Sequence, residues 1–199
     1  MHHRVVIGIS GASGAAYSVR LLKLLAEAGV ECHVAVTALG RRMLFEELEI
    51  KKADPEALVG AALAGRVVIH GDNDFGALIA SGTFQHDGMI IVPCSSNTLN
   101  SVASGLTNTL VQRAGAVSLK ERRMLIIAHR ESPLSEIDIQ SMAKLSQAGA
   151  IIAPLSPGFY MLPKTVEDIV DFMAGRLMDQ LGYDHDLPVR WTGSVNTEA

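Results

Sequence analysis

The chain is predicted to fold as an α/β protein, with one doubly wound, mostly parallel six-stranded sheet and helices on both faces. Three observations carry that expectation. Apolar runs of strand length alternate with segments of helical periodicity, which requires crossover connections and hence parallel strands. Runs such as Met89-Ile90-Ile91-Val92 are apolar without alternation, as expected of strands covered on both sides. The first run ends in Ser10-Gly11-Ala12-Ser13-Gly14, a turn of small residues that joins strand to helix and lets another molecule approach the backbone.

The elements follow in order. The first strand is Arg4–Ile9, and after Gly14 apolar residues recur at Ala15, Val19, Leu22 and Ala26, which predicts a helix over Ala15–Ala28. Further strands are expected at Glu31–Thr37, Arg66–Ile69, Gly88–Pro93, Met124–Ala128 and Ala150–Pro154. Helical patterns cover Arg41–Leu48, Pro55–Leu63, Asn100–Val117, Leu134–Ala148 and Val166–Leu181. The stretch Asn100–Val117 is dominated by small residues, among them Ser101, Ala103, Gly105, Ala114 and Gly115, which permit close helix approach. No repeat or low-complexity linker interrupts the chain, so residues 1–199 read as one domain with 183–199 as a C-terminal tail. That tail is polar and holds the only tryptophan, Trp191, which is either a packing anchor or a lid over a site.

Composition narrows the function. With 48% hydrophobic but 5% aromatic residues, the core must be built from Ala, Val, Leu and Ile. A net charge of −4 argues against a general nucleic-acid binder, which needs a basic face. Cys32 and Cys94 both fall inside apolar strands, as buried thiols of a reducing compartment do. No apolar stretch approaches the ~20 residues of a membrane span, and the N-terminus lacks a signal-peptide core, so a soluble, cytoplasmic protein is expected.

In a doubly wound sheet, ligands sit beyond the carboxyl ends of the strands. Four strand ends here offer small, hydroxylic or cationic groups. Ser10–Gly14 follows the first strand, and the unpaired N–H groups of the following helix would make an anion site there. Ser10 stands where the dinucleotide fingerprint has its second glycine, and the Gly-Lys-Ser/Thr ending of a P-loop is missing. Thr37 ends the second strand. The loop Ser95-Ser96-Asn97-Thr98 presents four hydrogen-bonding side chains, whereas capping a helix would use one. His129-Arg130-Glu131 follows the fifth strand: Arg130 suits a phosphate, and Glu131 is either its salt-bridge partner or an acid of the site. Tyr160 follows the sixth strand near the same edge. No His/Cys/Asp/Glu cluster has metal-ligand spacing and no Gly-x-Ser-x-Gly elbow occurs, so neither a zinc site nor a hydrolase triad is expected. Spacing and composition alone reach a phosphorylated cofactor or nucleotide bound by an α/β domain.

Several runs together go further. Gly8-Ile9-Ser10-Gly11-Ala12-Ser13-Gly14, Pro93-Cys94-Ser95-x-x-Thr98-Leu99, Leu119-Lys120-Glu121-Arg122-Arg123, Arg130-Glu131 and Phe159-Tyr160 occur in the order and spacing of the UbiX-like flavin prenyltransferases, which the chain resembles from about Val5 to Trp191. The resemblance implies a Rossmann-like flavoprotein that binds FMN as substrate, needs no metal, and attaches a dimethylallyl unit from dimethylallyl phosphate to the flavin N5 and C6. The prenylated product would serve a UbiD-type decarboxylase, and the family's assembly is a homododecamer built from trimers. By the same resemblance, Gly11, Ala12, Ser13, Thr37, Ser95, Ser96, Asn97, Thr98 and Arg130 contact FMN. Lys120, Tyr160, Arg176 and, from a neighbouring subunit, Arg113 would cradle the donor phosphate. Ser13 and Glu131 match a proton-relay pair, Glu47 a second acid near the flavin, and Trp191 an aromatic wall. Asn97, His129 and Met161 depart from the usual residues of the family, and none of them removes a charge the chemistry needs.

This assignment is chemically coherent. Breaking an allylic C–O bond places charge on the departing phosphate, which cations at Arg113, Lys120 and Arg176 stabilise and a proton from Glu131 neutralises. The allyl cation needs apolar or π surfaces and little water, which Trp191 suits. Two alternatives differ in kind: an FMN-dependent aromatic-acid decarboxylase and a non-enzymatic FMN carrier. Cysteine-type decarboxylases of similar fold use an early histidine base, where Ser13 stands here, and a carrier needs no second phosphate cradle.

Overall fold

A computed structural model describes residues 3–190. Its strands are β1 (Arg4–Ile9), β2 (Glu31–Val36), β3 (Val67–His70), β4 (Gly88–Cys94), β5 (Leu125–His129) and β6 (Ile151–Ile152). Its helices are α1 (Ala15–Glu27), α2 (Ala38–Leu48), α3 (Pro55–Val59), α4 (Ser96–Ala103), α5 (Leu110–Lys120), α6 (Glu136–Gln147) and α7 (Val166–Leu181). The sheet order is β3-β2-β1-β4-β5-β6 and every pairing is parallel, so the order reverses between β1 and β4. Among the described residues no helix is long and apolar enough to cross a membrane.

Alternation along the strands builds two core layers. Val5, Ile7 and Ile9 of β1 face one side with Val34, Val36, Ile90 and Ile126, beneath α1 and α7. Val6, Ala35, Met89, Ile91 and Ile127 face the other, beneath α4, α5 and α6. Helix α1 buries Leu21, Leu22 and Leu25 completely, and at about 1.5–3 kcal/mol each these three side chains hold it to the sheet. Arg20 of α1 is paired with Asp171 of α7 at 2.5 Å, which fixes the two helices beside one another.

Most boundaries lie within two residues of expectation, and four departures stand out, three of them with a local reason. Thr37 leaves the strand because its hydroxyl accepts from the Gly40 N–H, starting α2 at Ala38 and not Arg41. Helix α3 stops at Val59 because Gly60 turns the chain away. The stretch Asn100–Val117 is two helices, since Gly105 adopts φ 74 and Thr109 caps a new start. Only Ile151–Ile152 of the sixth run pairs, although the Leu155 N–H still reaches the His129 carbonyl at 2.8 Å.

A histidine cluster beneath the β2/β3 edge gives a measurable consequence. His33, 2% exposed, meets His70 ring to ring at 2.9 Å and Glu31 at 2.7 Å, with Phe84 packed against it. Burial pushes the pKa of both His70 and His86 down. The unfolded chain therefore takes up these protons first as pH falls below about 6.5, while the folded state refuses them. Their stabilisation is complete above that pH and is lost on acidification. The urea midpoint is expected to be flat above pH 7.5 and to fall from pH 7 to 5. An equal fall in a His70→Asn/His86→Asn variant would remove these groups as its cause.

Candidate functional site

The site forms where β1 and β4 diverge. Ser10 is fully buried; its hydroxyl donates to the Pro93 carbonyl at 2.9 Å and accepts from the Ser95 N–H at 2.8 Å. The residue that replaces a fingerprint glycine thus cross-links the two strand ends. Beyond it, Gly11 lies so close to Leu39 of α2 that a Cβ would collide, Ala12 is buried, and Ser13 is exposed at the tip of the turn.

Every helix but α1 starts on a Ser, Thr or Asp side chain. Helix α1 starts on Gly14 at φ 113, and its cap comes from elsewhere: the Glu47 carboxylate accepts from the Gly14 and Ala15 N–H groups at 3.0 and 2.8 Å. This corrects the expected anion site, because a protein carboxylate already occupies the start of α1. At the start of α2, the Ala38 and Leu39 N–H groups have no partner within the helix. Thr37 lies beside them and keeps its own hydroxyl proton for a ligand, since Gly40 donates to its oxygen.

The loop after β4 is tied into the fold more fully than its spacing suggested. Ser95 caps α4, Ser96 lies 3.2 Å from His129 Nε2, Asn97 Oδ1 accepts from Ser101, and Thr98 Oγ1 accepts from Ser95. Capping uses one of the four, Ser95, as expected, and the other three also have partners within the protein. Asn97 is itself exposed, and its amide nitrogen remains a donor. Behind the loop, Asp138 accepts from Ser135 and from Asn100, and these bonds hold its pKa down to about 2. His129 is 2% exposed and burial lowers its pKa, so a neutral imidazole backs Ser96. Asn100 and Asp138 escaped the sequence reading, because single polar residues inside helical segments carry no spacing signal, and the Ser10 cross-link was not foreseen although Ser10 itself was singled out.

Arg130 closes this edge by donating from Nε to the Ser13 carbonyl at 3.2 Å. Glu131 is exposed and accepts from the Ser132 N–H at 3.1 Å; no ion pair joins it to Arg130. The structure thus brings Gly11, Ala12, Ser13, Thr37, Glu47, the Ser95–Thr98 loop, Arg130 and Glu131 to one edge.

The other candidates lie apart. Tyr160 packs edge-on against Phe172 of α7 at 5.6 Å, and Arg176 follows one turn later. Arg113 donates to the Ala80 carbonyl at 3.2 Å. Lys120 is exposed in the last turn of α5 and pairs with Glu121 at 2.7 Å. That turn leads into the start of β5, so Lys120 lies at the sheet edge opposite to Ser13 of its own chain. Trp191 lies outside the described residues.

A flavoprotein family model matches residues 1–178. Flavin prenyltransferase UbiX of Halalkalibacterium halodurans is 44% identical over 188 residues, covering 93% of this chain and 91% of its own. AnUbiX (PadA1), solved in complex with FMN and dimethylallyl pyrophosphate, superimposes with a TM-score of 0.87 at 36% identity, over 98% of this chain and all of that one. A dodecameric FMN-dependent UbiX-like decarboxylase from Escherichia coli O157:H7 gives a TM-score of 0.86 at 37% identity, over 96% of this chain and all of that one.

Proposed function

We propose a function from the premise that this chain belongs to the UbiX-type flavin prenyltransferases: it joins a dimethylallyl group from dimethylallyl phosphate to N5 and C6 of reduced FMN. One observation carries the reading. Ser13, Arg130 and Glu131, from two different strand ends, meet at the edge where α2 offers its free N–H groups.

The residues fit FMN. Thr37 with the Ala38 and Leu39 N–H groups suits a phosphate, and Arg130 adds a cation whose place is set by the Ser13 carbonyl. Asn97 and Ser96 supply hydrogen-bonding groups beside them. Bound and reduced, FMN supplies the nucleophilic atoms of the reaction. Glu131 carries a proton to the departing phosphate, and Ser13 relays one at the tip of the turn. Glu47 orders that turn by holding Gly14 and Ala15. Tyr160 and Arg176 receive the donor phosphate.

Arg113 and Lys120 reach the donor from a neighbouring subunit. They share one helix, and Lys120 lies at the wrong edge to serve its own Ser13. An oligomer is therefore required, with the dodecamer of the E. coli relative as its form. The prenylated product passes to a UbiD-type decarboxylase. Cys32 and Cys94, both free and buried, support a reducing compartment such as the cytoplasm.

Mass spectrometry tests the reading. After anaerobic incubation with FMN, reductant and dimethylallyl phosphate, the extracted flavin is expected to be heavier by one dimethylallyl unit. Unmodified flavin, with carbon dioxide released from an added aromatic acid, would make the protein a decarboxylase. Unmodified flavin without such release would leave a carrier.

A further inference from the structure

The C-terminal segment is seated on α7, with Val189 in the core and Leu187 packed against it. Gly175 is the seat: a Cβ there would meet Val189 Cγ2 at 2.6 Å and the His185 ring at 3.1 Å. His185 is buried, and its Nδ1 accepts from the Leu187 N–H at 3.1 Å. The proton of the neutral ring is then on Nε2, which has no hydrogen-bond partner and lies 3.5 Å from Asp179 Oδ1. The same oxygen accepts from Arg190 Nη2 at 2.7 Å and Nε at 3.1 Å. The other oxygen of Asp179 lies 3.9 Å from Arg176 Nη1, one turn back on α7. One carboxylate thus faces two groups of the tail and the arginine assigned to the donor phosphate.

The seated segment also builds a wall. Pro188 and Val189 line a cavity of about 230 Å³ together with Gly158, Met161 and Leu162, the residues flanking Tyr160. The position of the tail therefore sets the shape of the space beside the donor tyrosine. Exposed ion pairs are individually weak. Here Val189 and His185 supply the apolar seating, and Asp179 fixes which register the tail adopts.

We propose that Asp179 is a positioning residue for the prenyl donor, holding residues 185–190 on α7 and the Arg176 guanidinium on the same face. This rests on the reading of Tyr160 and Arg176 as donor ligands given above. Asp179→Asn removes the charge, whereas Gly175→Ala removes the seat, although alanine by itself favours a helix. Both full-length variants are expected to weaken dimethylallyl phosphate about five- to tenfold. FMN affinity stays within about twofold of wild type, because none of the residues assigned to FMN lies on this seam. Hydrogen exchange of residues 183–190 rises in both, and Asp179→Glu recovers part of the donor affinity.

Calorimetry with FMN-loaded protein measures the donor, fluorescence titration measures FMN, and mass spectrometry reads the exchange. Normal donor binding in both variants overturns the proposal, as does unaltered exchange. Loss of FMN affinity in step with donor affinity also overturns it, by showing a general structural defect. Wild-type protein that fails to bind the donor overturns the functional reading itself, and is distinguished by needing no substitution.

Discussion

Glu131→Gln is expected to bind FMN almost normally and to form prenylated flavin about 10²–10⁴-fold more slowly, the usual contribution of general acid–base catalysis. The geometry makes this substitution clean. The Glu131 carboxylate accepts from the Ser132 N–H at 3.1 Å, a bond that the glutamine oxygen keeps. Arg130 does not depend on the Glu131 charge, since its Nε is held by the Ser13 carbonyl. The variant therefore removes a titratable proton and leaves the FMN contacts in place. Single-turnover prenylation with a parallel FMN titration measures both. A wild-type rate would reduce Glu131 to a local support for the Ser132 turn. A matched loss of FMN affinity would place it in flavin binding.

Most of the fold was legible because local signals agreed with each other. Strand runs such as Ile90-Ile91-Val92 and the helical spacing of Ala15, Leu22 and Ala26 lead to the same sheet, covered on both faces. Three of the misplaced boundaries share one cause. Caps and left-handed residues act through one side chain or one φ, as at Thr37 and Gly105, and leave no periodic trace. Within the site, the glycine-serine turn identified the right strand end but the wrong helix. Glu47, thirty-three residues from Gly14, fills the start of α1, and no local pattern reveals that a distant carboxylate will arrive there. The edge position of Lys120 was hidden for a similar reason, because motif spacing fixes order along the chain and not which end of the sheet a residue reaches.

On the proposed function, that placement calls for two chains per site. Arg113 and Lys120 lie seven residues apart on α5, two helical turns or about 10 Å along one face. If Arg113 serves a neighbour, Lys120 on the same face does too. Lys120→Ala is therefore expected to abolish most turnover and weaken the donor far more than FMN. The surface pair with Glu121 that it also removes is solvent-exposed and contributes little. Glu131→Gln disables the opposite edge of its own chain. Mixing these two variants, after the subunits are dissociated and reassembled, is expected to restore activity neither parent has. In a random equal mixture, each site has an even chance of an intact Glu131 and an independent even chance of an intact Lys120. About a quarter of sites then hold both, as a heterologous interface between chains dictates. Arg113→Ala mixed with Lys120→Ala should stay inactive, because both lesions then ride on the same helix of whichever chain is supplied. Native mass spectrometry establishes the exchange, and flavin prenylation reads the outcome. If exchange is complete and the Lys120→Ala/Glu131→Gln mixture stays at the level of its parents, Lys120 acts within its own chain, and the argument for a shared site fails.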